Sequence, residues 1–144
     1  MKNRDVKFRI WDTNKSIMVY SDESEDDHTE YYGCFANIFH QILNDLKEDK
    51  KYILLEYTGL KDKNGKEIYD GDIVKYLGED DLVYSLLGIV SIGEYSTHAG
   101  EFKHYGVRVK RIDIDSYFGL GGRPDEFAII GNIFKNKDLI EYEK

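Results

Sequence analysis

The chain has 144 residues, 41% of them hydrophobic and 14% aromatic, which is the size of an ordinary domain with enough apolar side chains for a core. Its formal net charge of -8 repels a phosphate backbone and disfavours a general nucleic-acid binder. The single cysteine excludes an intramolecular disulfide, and no apolar run is long enough to span a membrane, so we expect a cytoplasmic protein with no membrane partner.

The N-terminal segment predicts a β-hairpin. Apolar and charged residues alternate over 6–10, a polar turn follows at 12–16, and 17–20 is again β-prone. We expect Trp11 at the edge of this hairpin. Next comes an acidic run at 22–30, with six carboxylates in nine residues, which predicts a solvated loop because like charges repel one another in tight packing.

An amphipathic helix is predicted over 35–49. Its apolar residues recur at the spacing of one helical face and are Phe35, Ile38, Phe39, Ile42, Leu43 and Leu46. Polar and charged side chains occupy the opposite face. Because an isolated helix of this length is marginal in water, we expect it to dock on β-structure.

From residue 52 onward the apolar pattern changes to a period of two. Strands are predicted at 52–57, 73–77, 83–93 with a break near Gly88, 106–114 and 126–134. The Asn64-Gly65 pair predicts a type I′ turn, 70–72 a second tight turn, and 119–124 a loop. The chain is thus α+β and mainly β: a hairpin plus helix over 1–50, then a small antiparallel barrel over 51–144.

No catalytic constellation stands out. His98, Glu101 and His104 have no special metal-ligand spacing, and Cys34 is a lone thiol. The glycine-rich 119–123 segment lacks the helix and the Lys-Ser or Lys-Thr pair of a phosphate-binding loop. We therefore expect no catalytic residue, no cofactor and no metal, and hence a protein that is not an enzyme.

A basic strip in the 106–114 strand is the candidate binding surface. Its residues are Tyr105, Arg108, Lys110 and Arg111. Alternation places Arg108 and Lys110 together on the face away from the core. Three alternatives stay open: a solvated strand face, a contact with a protein partner, and a platform for single-stranded nucleic acid.

Three segments resemble the YopX family of bacteriophage and prophage proteins. The longest is Tyr-Thr-Gly-Leu-Lys-Asp-Lys-Asn-Gly-Lys-Glu-Ile-Tyr-Asp-Gly-Asp-Ile-Val at 57–74. The others are 7–12 with 18–20, and 129–134 followed by 138–140. The resemblance implies a phage-derived protein with an N-terminal α/β portion and a C-terminal SH3-like barrel, and it implies no catalytic residue, cofactor or partner. Residues 79–125 fit least well, which predicts a variable insertion.

The recurrent residues of the longest segment have structural explanations. They are Gly59, Asn64, Gly65, Asp70, Gly71 and Asp72. Asn64 and Gly65 are expected to supply two positive-φ positions, Gly59 a close turn after Thr58, and the two aspartates hydrogen bonds to nearby amides.

The sequence therefore predicts a non-enzymatic interaction protein in the cytoplasm of a bacterial host. It acts through contacts with a protein partner whose identity is unknown, and its tyrosine-rich strands favour a homo-oligomer. The alternative is a nucleic-acid-associated small barrel.

Overall fold

The computed structural model describes residues 6–21, 51–79, 86–97 and 100–141. These residues form nine strands: β1 (Phe8–Asp12), β2 (Ile17–Tyr20), β3 (Tyr52–Lys61), β4 (Glu67–Tyr69), β5 (Asp72–Tyr76), β6 (Leu87–Thr97), β7 (Phe102–Arg111), β8 (Tyr117–Gly119) and β9 (Phe127–Asn132). Short 3-10 helices lie at Pro124–Glu126 and Lys137–Leu139. The predicted helix at 35–49 and the acidic run at 22–30 lie outside the described residues. No helix in the described part is long and apolar enough to cross a membrane.

The chain divides into two compact units, 1–57 and 58–144. In the first unit, β1 pairs with β2 as the predicted hairpin and with the first half of β3 on its other side, both antiparallel. Ile10 and Val19 are its buried apolar centre. Trp11 is buried within β1 between two partner strands, so its expected place at the edge of the hairpin was wrong.

The second unit is built on a five-stranded antiparallel sheet with the order β8-β7-β6-β5-β9, which forms a half-barrel. Its core contains apolar side chains from five strands and the adjoining segments: Ile68, Val74, Tyr76, Leu86, Val90, Val109, Leu120 and Phe127. The mainly-β prediction is confirmed. Residues from 86 to 125 supply four of these side chains, so the described part of the 79–125 range contributes to the core, while its variability stays a prediction.

Several predicted boundaries differ from the observed strands. Gly88 lies inside β6 and pairs with Arg111, so the predicted break near Gly88 was wrong. A side chain is excluded at this position because a Cβ would overlap Val109. β6 extends four residues beyond the predicted end at 93, β7 begins four residues before the predicted start at 106, and the two strands pair from Gly88 to Thr97. The short strands β4 and β8 were not predicted.

The turn after β3 is held by the side chain of Asp62. The Gly65 amide donates to the Asp62 carbonyl at 3.0 Å, and the Asn64 amide donates to Asp62 Oδ1 at 2.8 Å. Gly65 has φ +80°, whereas Asn64 is not among the positive-φ residues. The type I′ prediction was therefore wrong, and the loop matches a three-residue hairpin that needs left-handed backbone only at its glycine.

Two further glycines of the longest segment also have positive φ values. Gly59 has φ +84° but lies inside β3, not in a turn after Thr58 as expected. At the second tight turn, Gly71 has φ +89° and Asp72 Oδ2 accepts the Tyr69 amide at 2.8 Å. Such positive φ values favour glycine because a Cβ would collide with the backbone.

Candidate functional site

The predicted basic strip is divided between the two faces of the sheet. Side chains alternate along β7, so Arg108 and Lys110 lie on one face while Tyr105 and Arg111 lie on the other. Val109, which lies between the two outward basic residues, is fully buried, as alternation predicted. Tyr105 is thus no stacking platform beside Arg108, and the four residues do not form one surface.

Arg108 is engaged by its own molecule. Its Nε donates to Ser91 Oγ at 2.9 Å, and its Nη1 donates to the Glu94 carbonyl at 2.6 Å. The guanidinium carbon lies 4.2 Å from the centre of the Tyr117 ring, in cation–π contact. Two of its five N–H donors are thus bonded within the chain and one face of the group lies on an aromatic ring, which reduces its availability to a phosphate group.

Arg111 is also paired. Its Nε and Nη2 donate to the two carboxylate oxygens of Asp113 at 2.9 and 2.7 Å, a bidentate ion pair. These hydrogen bonds to Arg111 hold the pKa of the Asp113 carboxyl below its ordinary value. The positive charge of Arg111 is therefore balanced by the Asp113 carboxylate.

The distal part of the β6–β7 hairpin, which we call the arm, consists of residues 93–97 and 102–106. Here β6 and β7 pair with each other, while β5 pairs with β6 only at 87–89 and β8 pairs with β7 only at 108–110. Within the described part of the chain, no third strand pairs with the arm. Its two edges therefore carry backbone groups of the kind that join another strand.

The arm curls over β8. β6 contacts β8 although β7 lies between them in the sheet order, and the Tyr95 hydroxyl lies so close to Gly119 that a Cβ there would overlap it. A pair of glycines, Gly93 opposite Gly106, lies at the start of the arm. Glycine at such a position permits a sharp bend and close approach, and a Cβ at Gly93 would lie 2.7 Å from the Arg108 guanidinium carbon.

Two large side chains of the arm are exposed. Tyr105 is 77% exposed and Phe102 is 52% exposed. They lie on opposite faces of β7, because they are three residues apart in a strand. Aromatic rings are enriched at protein interfaces relative to the rest of the surface.

A groove of about 400 Å³ lies between the arm and the segment that leads into β8. It is lined by Glu94, Tyr95, Ser96, Lys103, Asp115, Ser116 and Tyr117. Its lining combines two acidic residues with one basic residue, and Arg108 lies against the Tyr117 ring. These opposite charges favour neither an anionic nor a cationic ligand.

The remaining predicted candidates have structural partners or lie outside the described residues. His104 stacks on Tyr95 at 5.1 Å between ring centres, and its Nε2 is 3.0 Å from Thr97 Oγ1. His98 and Cys34 lie outside the described residues. Over 6–21, 51–79, 86–97 and 100–141, no group of three His, Cys, Asp or Glu side chains is placed to hold a metal ion.

The glycine-rich 119–123 segment packs on the core. Leu120 is fully buried, and Arg123 lies over the Tyr76 ring and donates from Nη2 to its hydroxyl at 3.0 Å. A hydrogen bond to Glu126 raises the pKa of Arg123. These contacts give the segment a structural role beside β9.

Comparison with known proteins gives a family and a fold. The family model described as YopX protein matches residues 7–141, and no curated protein matches the chain. Among solved structures, the crystal structure of protein EF1440 from Enterococcus faecalis is similar, with a TM-score of 0.51 and 21% identity. The match covers 96% of this chain and 100% of that one. At this identity the likeness shows a shared fold.

Proposed function

The chain belongs to the YopX family, and we propose that it is a non-enzymatic interaction protein whose arm makes the contact with a protein partner. The observation that carries this proposal is the exposure of Tyr105 and Phe102 on a ribbon whose edges pair with no third strand in the described residues. Burying two such rings supplies a large apolar contact, and a strand edge that no described strand covers adds backbone hydrogen bonds.

The electrostatic evidence supports a protein partner over a nucleic acid. The net charge is -8, and both arginines of the basic strip are engaged within the chain. Binding of nucleic acid depends mainly on cations that are available to phosphate groups. A nucleic-acid-associated barrel therefore remains only the alternative to the proposed function.

Affinity capture with a matched control tests the proposal. We expect the tagged full chain to retain a protein partner after nuclease treatment, and the Phe102→Ser/Tyr105→Ser variant to lose it. The control variant is Leu77→Ser/Ile130→Ser, which removes side chains that are 43% and 38% exposed outside the arm, and it should retain the partner. Equal retention by both variants would place the contact elsewhere.

The proposal includes contacts between copies of the chain. Open strand edges and exposed aromatic rings favour self-association unless another element covers them. Light scattering at tens of micromolar should then return a mass well above 16.8 kDa for the wild type and a lower mass for Phe102→Ser/Tyr105→Ser. A monomer mass for the wild type would exclude contacts between copies of the chain and would leave only a different protein as the partner of the arm.

The finer features of the sequence-based prediction belong to the same proposal. They are an SH3-like topology for the half-barrel, a phage or prophage origin implied by the family, and a place in the bacterial cytoplasm. The five antiparallel strands of the half-barrel support the SH3-like topology.

A further inference from the structure

We propose that Arg108 is a positioning residue that holds the arm in its curled shape and thereby fixes where Tyr105 and Phe102 meet a partner. This inference rests on the proposed function of the arm. Arg108 stands in β7 just outside the arm, on the same face as Gly93, Tyr95 and Gly119. It is therefore on the side toward which the arm curls.

The guanidinium joins three separate parts of the second unit. It reaches back along β6 to Ser91, into the arm at the Glu94 carbonyl, and across to the Tyr117 ring of β8. The 2.6 Å bond to Glu94 is the only one of these that reaches the arm itself. Hydrogen bonds from an ionised donor are about twice as strong as neutral ones, so this bond is well suited to hold a bent ribbon.

The sequence around Arg108 leaves room for its side chain and for the bend. Gly93 and Gly106 face each other at the start of the arm, and no side chain rises from either of them. A Cβ at Gly93 would come within 3.0 Å of the Arg108 Nε and Nη1 atoms. The two glycines and the arginine thus act as one unit, in which the glycines permit the curl and the arginine closes it.

A planar guanidinium is required for this role. Arginine presents donors in a fixed fork and stacks flat on an aromatic ring, whereas lysine is a point charge on a flexible stem. Arg108→Lys keeps the charge but cannot bond Ser91 and Glu94 while stacking on Tyr117. The neighbouring cation on the same face, Lys110, provides the matched control as Lys110→Ala.

Amide hydrogen exchange and nuclear Overhauser contacts test the inference on the whole chain without any partner. In Arg108→Lys we expect the contact between the Tyr95 ring and Gly119 to be lost, and amides of the arm to exchange about tenfold faster, because a hydrogen bond to a charged group is lost. Core amides at Val90, Val109 and Phe127 should keep their protection, which shows that the variant is folded. Lys110→Ala should match the wild type throughout.

A second readout separates positioning from simple stability. Partner capture should fall in Arg108→Lys, while the midpoint of urea unfolding should be the same in Arg108→Lys as in the control Lys110→Ala. An unchanged Tyr95–Gly119 contact and unchanged exchange in Arg108→Lys would overturn the inference. A released arm that still captures its partner would overturn the positioning role while leaving the proposed function intact. The proposed function fails separately if Phe102→Ser/Tyr105→Ser captures as well as the wild type.

Discussion

The Asp62 carboxylate accepts a hydrogen bond from the Ile129 amide at 2.9 Å, across 67 positions of sequence. Its other oxygen accepts the amides of Asn64 and Lys66 at 2.8 and 2.9 Å. The side chain is buried, with 4% of the residue exposed. One carboxylate therefore shapes the turn after β3 and ties that turn to β9.

Asp62→Ala should lower the free energy of unfolding by about 2 to 4 kcal/mol, since three backbone donors lose a charged acceptor in a buried place. Asp62→Asn should cost less, because the amide oxygen still serves one side of the network. Urea denaturation followed by tyrosine fluorescence measures both. The control is Asp125→Asn on an exposed position, which should shift stability by less than about 0.5 kcal/mol. Equal midpoints for Asp62→Ala and Asp125→Asn would contradict the network.

The Asp113–Arg111 pair predicts a pH dependence. The pKa of Asp113 is lowered by its hydrogen bonds to Arg111, so the folded state favours the ionised carboxyl more than the unfolded state does. The resulting contribution to the free energy of unfolding is complete above the ordinary Asp pKa and is lost as pH falls through the lowered pKa of the folded state. Carboxyl NMR titration should show the pKa of Asp113 rising in Arg111→Gln, with no such rise in Lys110→Gln. A pKa that stays low in Arg111→Gln would assign the shift to the backbone.

Single-stranded nucleic acid should not bind the chain even at low salt, where attraction between charges is least screened. The reason is the engagement of Arg108 and Arg111 together with the net charge of -8. Fluorescence anisotropy of a labelled oligonucleotide measures this. The opposite result is micromolar binding that is lost in Arg108→Ala/Lys110→Ala/Arg111→Ala. In that case the logarithm of the binding constant should fall by roughly 0.7 per tenfold rise in salt for each phosphate neutralised. Such binding would make the barrel a nucleic-acid module.

Local patterns predicted the strands with regular alternation and failed for shorter or longer-range features. β1, β2, β5 and β9 lie where runs of apolar, β-prone residues predicted strands, whereas the three-residue strands β4 and β8 are too short to give such a run. The turn at Asn64-Gly65 was assigned the wrong type because Asp62, two residues earlier, bonds the Asn64 amide. The helix predicted over 35–49 stays a prediction.

The candidate site was predictable only in part. The parity of residue numbers in β7 already separates Arg108 and Lys110 from Arg111 and Tyr105, so the division of the basic strip between two faces was available from the sequence. The contact of Tyr95 with Gly119 was not, because it depends on how far the arm bends over β8. Two glycines paired across the strands permit that bend, and pairing register is not visible in one sequence.

Site-specific photocrosslinking tests the central claim, the protein contact of the arm, most directly. A benzophenone amino acid replaces Tyr105 in one variant and Val6 in the other, two residues that are 77% and 73% exposed. Irradiation of bacterial cells that express the variants should give a discrete nuclease-resistant protein adduct from position 105 and none from position 6. Equal adducts from both positions, a nuclease-sensitive adduct, or no adduct from position 105 would contradict the account.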